Sequence, residues 1–103
     1  MASMADIEKL TASIVREFKP QRIILFGSHA HGTPKPDSDV DLLVILPFEG
    51  KNWQMASAIR ERVHPTFPLD LLVRTDAQIR ERLNRLDSFI TEIVGKGKVL
   101  HEG

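Results

Sequence analysis

Two apolar runs, residues 22–26 and 39–46, are joined by a link that has no room for a crossover helix. It begins Gly27-Ser28-His29-Ala30-His31-Gly32-Thr33-Pro34-Lys35-Pro36. Residues 28–31 suffice for one helical turn, and residues 33–37 are stiffened by prolines that fix their own φ. Parallel neighbours need a crossover of about a dozen residues or more, usually a helix. The two runs are therefore predicted to be antiparallel neighbours in one sheet. This restricts the fold more than any other feature of the chain.

The remaining elements follow from periodicity. Ile7, Leu10, Ile14 and Phe18 recur at helical spacing, which predicts a helix over residues 5–18 that ends before Pro20. Trp53, Ala56, Ile59 and Val63 predict a second helix, closed off by Pro65 and Pro68. Residues 69–74 read as a third strand. The helix between the second and third strands permits a parallel crossover. Residues 76–83 and 88–94 read as closing helices, Gly95-Lys96-Gly97 as a helix-ending turn, and residues 98–101 as an edge strand. Apolar side chains on both faces of residues 39–46 place that strand centrally. The expectation is an α+β, two-layer domain over residues 1–103, a small mixed sheet packed by helices.

Charge interrupts this pattern at specific places. Asp41 lies inside Val40-Asp41-Leu42-Leu43-Val44, Asp39 precedes it by two, and Asp70 lies inside Leu69-Asp70-Leu71-Leu72-Val73. Strand side chains alternate, so Asp39 and Asp41 share a face with Cα atoms about 6.5 Å apart. A third strand beside the second brings Asp70 to them. Converging carboxylates repel unless some stay protonated or a cation intervenes. Oxygen ligands favour Mg²⁺, which binds together with substrate phosphates. Two such ions about 4 Å apart can hold both the attacking and the leaving oxygen of a phosphoryl displacement. Gly27 permits a sharp turn, Ser28 offers a hydroxyl and an N–H to an anion, and Gly32 allows a second close approach.

Each residue also has a plainer use. Asp39 suits a strand-cap turn, and Asp41 or Asp70 suits an ion pair with an arginine such as Arg74. His29 and His31 read as solvated loop residues rather than zinc ligands, and His64 as a helix-end residue. Trp53 reads as helix packing. Arg80 and Arg85 have i,i+4 partners in Asp76 and Glu81. Formal net charge is zero, which disfavours direct nucleic-acid binding, and the absence of cysteine excludes disulfides and thiolate chemistry. No apolar run approaches the roughly 20 residues of a membrane span, so the cytoplasm is the default expectation.

The combination Gly27-Ser28-His29-Ala30-His31-Gly32, then Ser38-Asp39-Val40-Asp41-Leu42, then Leu69-Asp70-Leu71, resembles the signature of the minimal nucleotidyltransferases of the DNA polymerase β superfamily. The resemblance implies a polymerase-β-like nucleotidyltransferase fold. It implies transfer of a nucleoside monophosphate from ATP or another NTP to a hydroxyl, with release of pyrophosphate. It assigns Asp39, Asp41 and Asp70 to two Mg²⁺ ions and catalysis, with Asp70 helping to deprotonate the acceptor. It assigns Gly27, Ser28, Gly32 and Ser38 to the nucleotide. His31 stands where many members have arginine, and histidine near neutral pH is often uncharged. Short members are often antitoxins of a HEPN-domain toxin and can adenylylate its tyrosine, so a HEPN partner is implied by resemblance and length. Two alternatives stay open: a binding module that neutralises its partner without catalysis, and a small-molecule nucleotidyltransferase working as a homodimer.

Overall fold

The structure is a computed structural model and describes residues 2–103. Its elements are α1 (Met4–Phe18), β1 (Arg22–Phe26), β2 (Val40–Ile45), α2 (Asn52–Val63), β3 (Leu69–Arg74), α3 (Asp76–Asn84), α4 (Ser88–Lys96) and β4 (Lys98–Glu102). The four strands form one sheet in the order β3-β2-β1-β4. β1 pairs antiparallel with β2 and with β4, whereas β2 and β3 are parallel. The short link and the crossover helix thus act as the sequence predicts.

Local chemistry sets the boundaries. α1 starts one residue before the predicted point because Ser3 caps it: Asp6 N donates to Ser3 Oγ at 3.1 Å and Ser3 N donates to Asp6 Oδ2 at 2.9 Å. Its end is a left-handed Lys19 ahead of Pro20. His64 takes the same left-handed cap position after α2. Thr75 and Asp87 cap α3 and α4 by accepting from Gln78 N and Ile90 N. α4 runs through Gly95 to Lys96, and only Gly97 breaks it.

Alternation along the strands divides the core in two. Val40, Leu42 and Val44 of β2, with Ile23 and Leu25 of β1, meet Ile7, Leu10 and Ile14 of α1 and Ile59 of α2. Leu43 and Ile45, with Ile24, meet Ile79 of α3 and Ile90 and Ile93 of α4. Helices therefore cover both faces of the sheet, as the expected mixed sheet packed by helices requires. The reason is that β1 and β2 are apolar on both sides, so neither face can be left to water.

The free edge of β3 is blocked. Val40 N donates to Pro68 O and Leu46 N to Arg74 O, so the Leu69 and Val73 carbonyls point outward. Arg60 Nη2 donates to Leu69 O at 2.6 Å, and Arg74 Nη1 donates to Val73 O at 2.7 Å. Arginines occupying these acceptors hinder edge-to-edge pairing.

Leu43 is fully buried at the centre of the α3/α4 face. Leu43→Ala is expected to lower the unfolding free energy by about 2–5 kcal/mol, through lost transfer energy plus a cavity. Urea denaturation of wild type and variant measures it. A change of less than about 1 kcal/mol would mean that α3 and α4 do not pack as described.

Candidate active site

The site begins with register. Asp41 of β2 stands opposite Asp70 of parallel β3 and, on its other side, opposite Phe26 of antiparallel β1. Alternation puts Asp41 on the α3/α4 face, one pleat beyond Leu43. The helical layer covers Leu43 and Ile45 but stops short of Asp41, which is half-buried, while Asp70 is exposed. Asp39 falls just before β2 and is exposed; the sequence expectation had placed it in the strand.

The turn after β1 is shaped around Asp41. Gly27 has φ +74°, a left-handed conformation that a side chain resists, and a Cβ there would collide with Asp41 Oδ2. Glycine is thus needed twice at one position. Beyond it, residues 28–32 form a tight turn, with Ala30 N donating to Gly27 O and Thr33 N to Ser28 O. Gly32 also has positive φ, at +72°, but a Cβ there would meet open space.

His29 was read from sequence as a solvated loop residue, and the structure gives it a structural task. Its Nδ1 lies 3.1 Å from the backbone oxygen of Asp39, which ties the turn after β1 to the entry of β2. Its Nε2 is buried without a hydrogen-bond partner. No sequence pattern encodes a bond between a loop side chain and a main-chain oxygen ten positions away.

Electrostatics single out Asp41. Burial pushes its carboxyl above the usual carboxylate value, and the charges of Asp70 and then Asp39 push it further; a hydrogen bond with the Asp70 carboxyl acts in the same direction. His29 opposes the rise. Among the described residues, none of the three aspartates takes part in an ion pair, so the pairing with Arg74 considered above does not occur. Arg80 and Arg85 do pair with Asp76 and Glu81, at 3.1 and 2.9 Å.

The structure therefore brings Gly27, Asp41 and Asp70 together, with the exposed Asp39 at the entry of β2 and Ser28 next along the turn. It does not bring Ser38. The Ser38 hydroxyl accepts from Lys35 N at 2.8 Å and lines a cavity with Val40, Phe67 and Pro68, toward the α1/α2 side. Gly32 and His31 are exposed on the same turn. Trp53, expected to pack in α2, is 62% exposed beside Arg60 and Arg74 in a groove along the β3 edge. Its place in the first turn of α2 carries it past the end of the core.

A family model described as "Nucleotidyltransferase domain" matches residues 7–101. Among solved structures, the chain is similar to a toxin-antitoxin crystallised with AMP-PNP: 24% identity, 93% of this chain and 73% of that one, TM-score 0.61. It is also similar to the toxin-antitoxin MntA-HepT, at 19% identity over 98% of this chain and 74% of that one, TM-score 0.55. At these identities the likeness is one of fold. No curated protein sequence matches the chain. Among the described residues, no helix is long and apolar enough to cross a membrane.

Two outcomes follow from the geometry. Gly27→Ala is expected to cost about 1–2 kcal/mol through the left-handed φ, plus the displacement of Asp41. Thermal and urea unfolding read it, and an unchanged stability would show that the turn relaxes without strain. Asp41 holds its proton more readily folded than unfolded. Its favourable contribution is therefore complete below the ordinary value of 3.8 and is lost as pH rises through the raised folded value. In metal-free buffer Asp41→Asn should match or exceed wild-type stability at about pH 7, and the gap should close toward about pH 3. A gap that widens toward acid would contradict the repulsion described.

Proposed function

The chain belongs to the nucleotidyltransferase domain family, and from that premise we propose that it is a Mg²⁺-dependent adenylyltransferase whose acceptor is a tyrosine hydroxyl of a HEPN-domain toxin, which it thereby silences. The observation that carries the reading is the Asp41–Asp70 pair with Gly27 against the Asp41 carboxyl and, among the described residues, no ion pair to neutralise it. A like-charged pair in adjacent strands weakens the sheet, so it is retained for something other than stability. Support also comes from the solved neighbour of the same fold that was crystallised with AMP-PNP.

The fit to a divalent cation is one of chemistry and charge. The donors are all carboxylate oxygens, and the repulsion that raises Asp41 is what a hard cation would relieve. Among the described residues no three His, Cys, Asp or Glu side chains already form a metal-holding group, so binding would draw the exposed Asp39 carboxylate toward the other two. Asp39, Asp41 and Asp70 would hold Mg²⁺, which supplies charge neutralisation at the α-phosphate and at the departing pyrophosphate.

The chain's own residues do the rest. The turn at Gly27 and Ser28 gives the triphosphate close approach to the backbone and a hydroxyl donor. Asp70, exposed at the β3 side, takes the proton of the acceptor hydroxyl. The acceptor oxygen forms a bond to the α-phosphorus as the bond to the bridging oxygen of pyrophosphate breaks. His29 holds the Asp39 carbonyl, fixing where β2 enters.

The carboxylates are not yet gathered around one point, and this favours one rival: a module that silences its partner by covering it. Co-expression with the HEPN partner followed by intact-mass measurement separates the two. Wild type should add one AMP or a short series, and Asp41→Asn should lower the yield by at least about a hundredfold, as loss of charge stabilisation at the reacting centre does. An unmodified partner that is still bound and inhibited would establish occlusion instead. Modification by Asp41→Asn at the wild-type level would remove Asp41 from the metal site.

A further inference from the structure

Beside the carboxylates lies a cavity of about 260 Å³ that the phosphate chemistry does not use. Phe26, Gly27, His31, Phe89, Glu92 and Ile93 line it. Phe26 and Phe89 meet edge to face, with ring centroids 5.8 Å apart and planes at 82°. Phe89 is 54% exposed, an unusual amount for a phenylalanine with a partner ring at hand. Glu92 is the one acidic side chain among the lining residues and His31 the one basic side chain.

We propose that this cavity is the base subsite of the nucleotide: it takes a flat nucleobase against Phe89 and favours bases that carry an amino group through Glu92. The proposal rests on the nucleotidyltransferase reading above and extends it to a feature that reading leaves open, the choice of nucleotide.

Continuity locates the occupant. Gly27 belongs both to the cavity wall and to the turn packed on Asp41, so the cavity opens directly beside the candidate phosphate site. One nucleotide can therefore place phosphate at the turn and base in the cavity. The sheet order separates this place from the acceptor's. Phe26, Asp41 and Asp70 lie in register across β1, β2 and β3, so Asp70 flanks Asp41 on the side away from Phe26. The acceptor approaches at Asp70 and the nucleotide lies at β1.

Chemistry selects the ligand. Aromatic side chains stack on any base, because every base has a π-face, and this gives affinity without choice. Glu92 gives choice. Its carboxylate accepts from the exocyclic amino group of adenine, guanine or cytosine. Uracil presents carbonyl oxygens there, which a carboxylate repels. A glutamine at this position could donate to those oxygens as well as accept, so it would relax the preference.

The test uses the full chain and isothermal titration in excess Mg²⁺, with ATP, UTP and inorganic tripolyphosphate as probes. Wild type should bind ATP more tightly than tripolyphosphate and more tightly than UTP. Phe89→Ala should weaken ATP about tenfold and leave tripolyphosphate unchanged, since only the base stacks. Glu92→Gln should bring ATP and UTP to within about twofold of each other. In wild type, the base protons of ATP should show magnetisation transfer to the Phe89 ring. Because Phe89 is a surface residue, folding is checked by an unchanged thermal midpoint. If Phe89→Ala leaves ATP affinity intact, or weakens tripolyphosphate equally, the base is not in this cavity. A wild-type preference for UTP overturns the role of Glu92. If wild type binds neither ATP nor tripolyphosphate, the nucleotide reading itself fails, which is a different result from a base-independent affinity.

Discussion

The parallel pairing of β2 with β3 is the constraint on which the rest depends, because it sets Asp41 opposite Asp70. Like charges facing each other across strands destabilise a sheet. The surroundings accommodate that pair without neutralising it. Gly27 makes room for the Asp41 carboxyl, and the α3/α4 layer ends before it. The nearest arginine on the same strand, Arg74, spends its guanidinium on the Val73 carbonyl. A fold selected for stability alone would place an uncharged residue at position 41. This one keeps a charged gap at the end of an otherwise apolar sheet.

What the sequence discloses is what local periodicity controls. The run Leu69–Arg74 is found as predicted, and so is the antiparallel neighbour relation forced by Gly27, Pro34 and Pro36. The shared face of Asp41 and Leu43 follows from alternation alone. The Asp41–Asp70 pairing is therefore legible, since one strand order brings Asp70 to Asp41. Ser38 shows the limit. As the residue before Asp39 it reads as part of the motif, yet its hydroxyl closes the Lys35–Ser38 turn and lines the other side of the sheet. His29 shows the opposite case, a residue whose bond to the Asp39 carbonyl exists only once the loop has folded back. Trp53 departs from the packing expected of it because helical spacing predicts which face is apolar, not where the neighbouring layer ends.

The two faces of the sheet divide the work. The α1/α2 side holds the larger core, with Ile7, Ile14, Leu42, Val44 and Ile59 all fully or nearly fully buried. The α3/α4 side holds a smaller core and leaves its rim to Asp41, Phe26 and Phe89. Left-handed non-glycine residues occur on both sides: Lys19 and His64 end α1 and α2, and Leu86, 85% exposed, precedes α4.

Charge completes the comparison. The chain has 14 basic and 14 acidic residues, so its net charge gives no hint of a site. What matters is distribution. Seven arginines are committed elsewhere: Arg60 and Arg74 to the β3 edge, and Arg22, Arg62, Arg80, Arg82 and Arg85 to surface carboxylates. Exposed pairs of that kind add little stability, about 0–1 kcal/mol each. Their larger consequence is to hold those cations away from Asp41 and Asp70. A local excess of negative charge beside a glycine turn then persists in a neutral molecule, eased in part by His29. An arginine placed in reach of Asp41 would stabilise the sheet and, by the same contact, fill the position proposed for the cation.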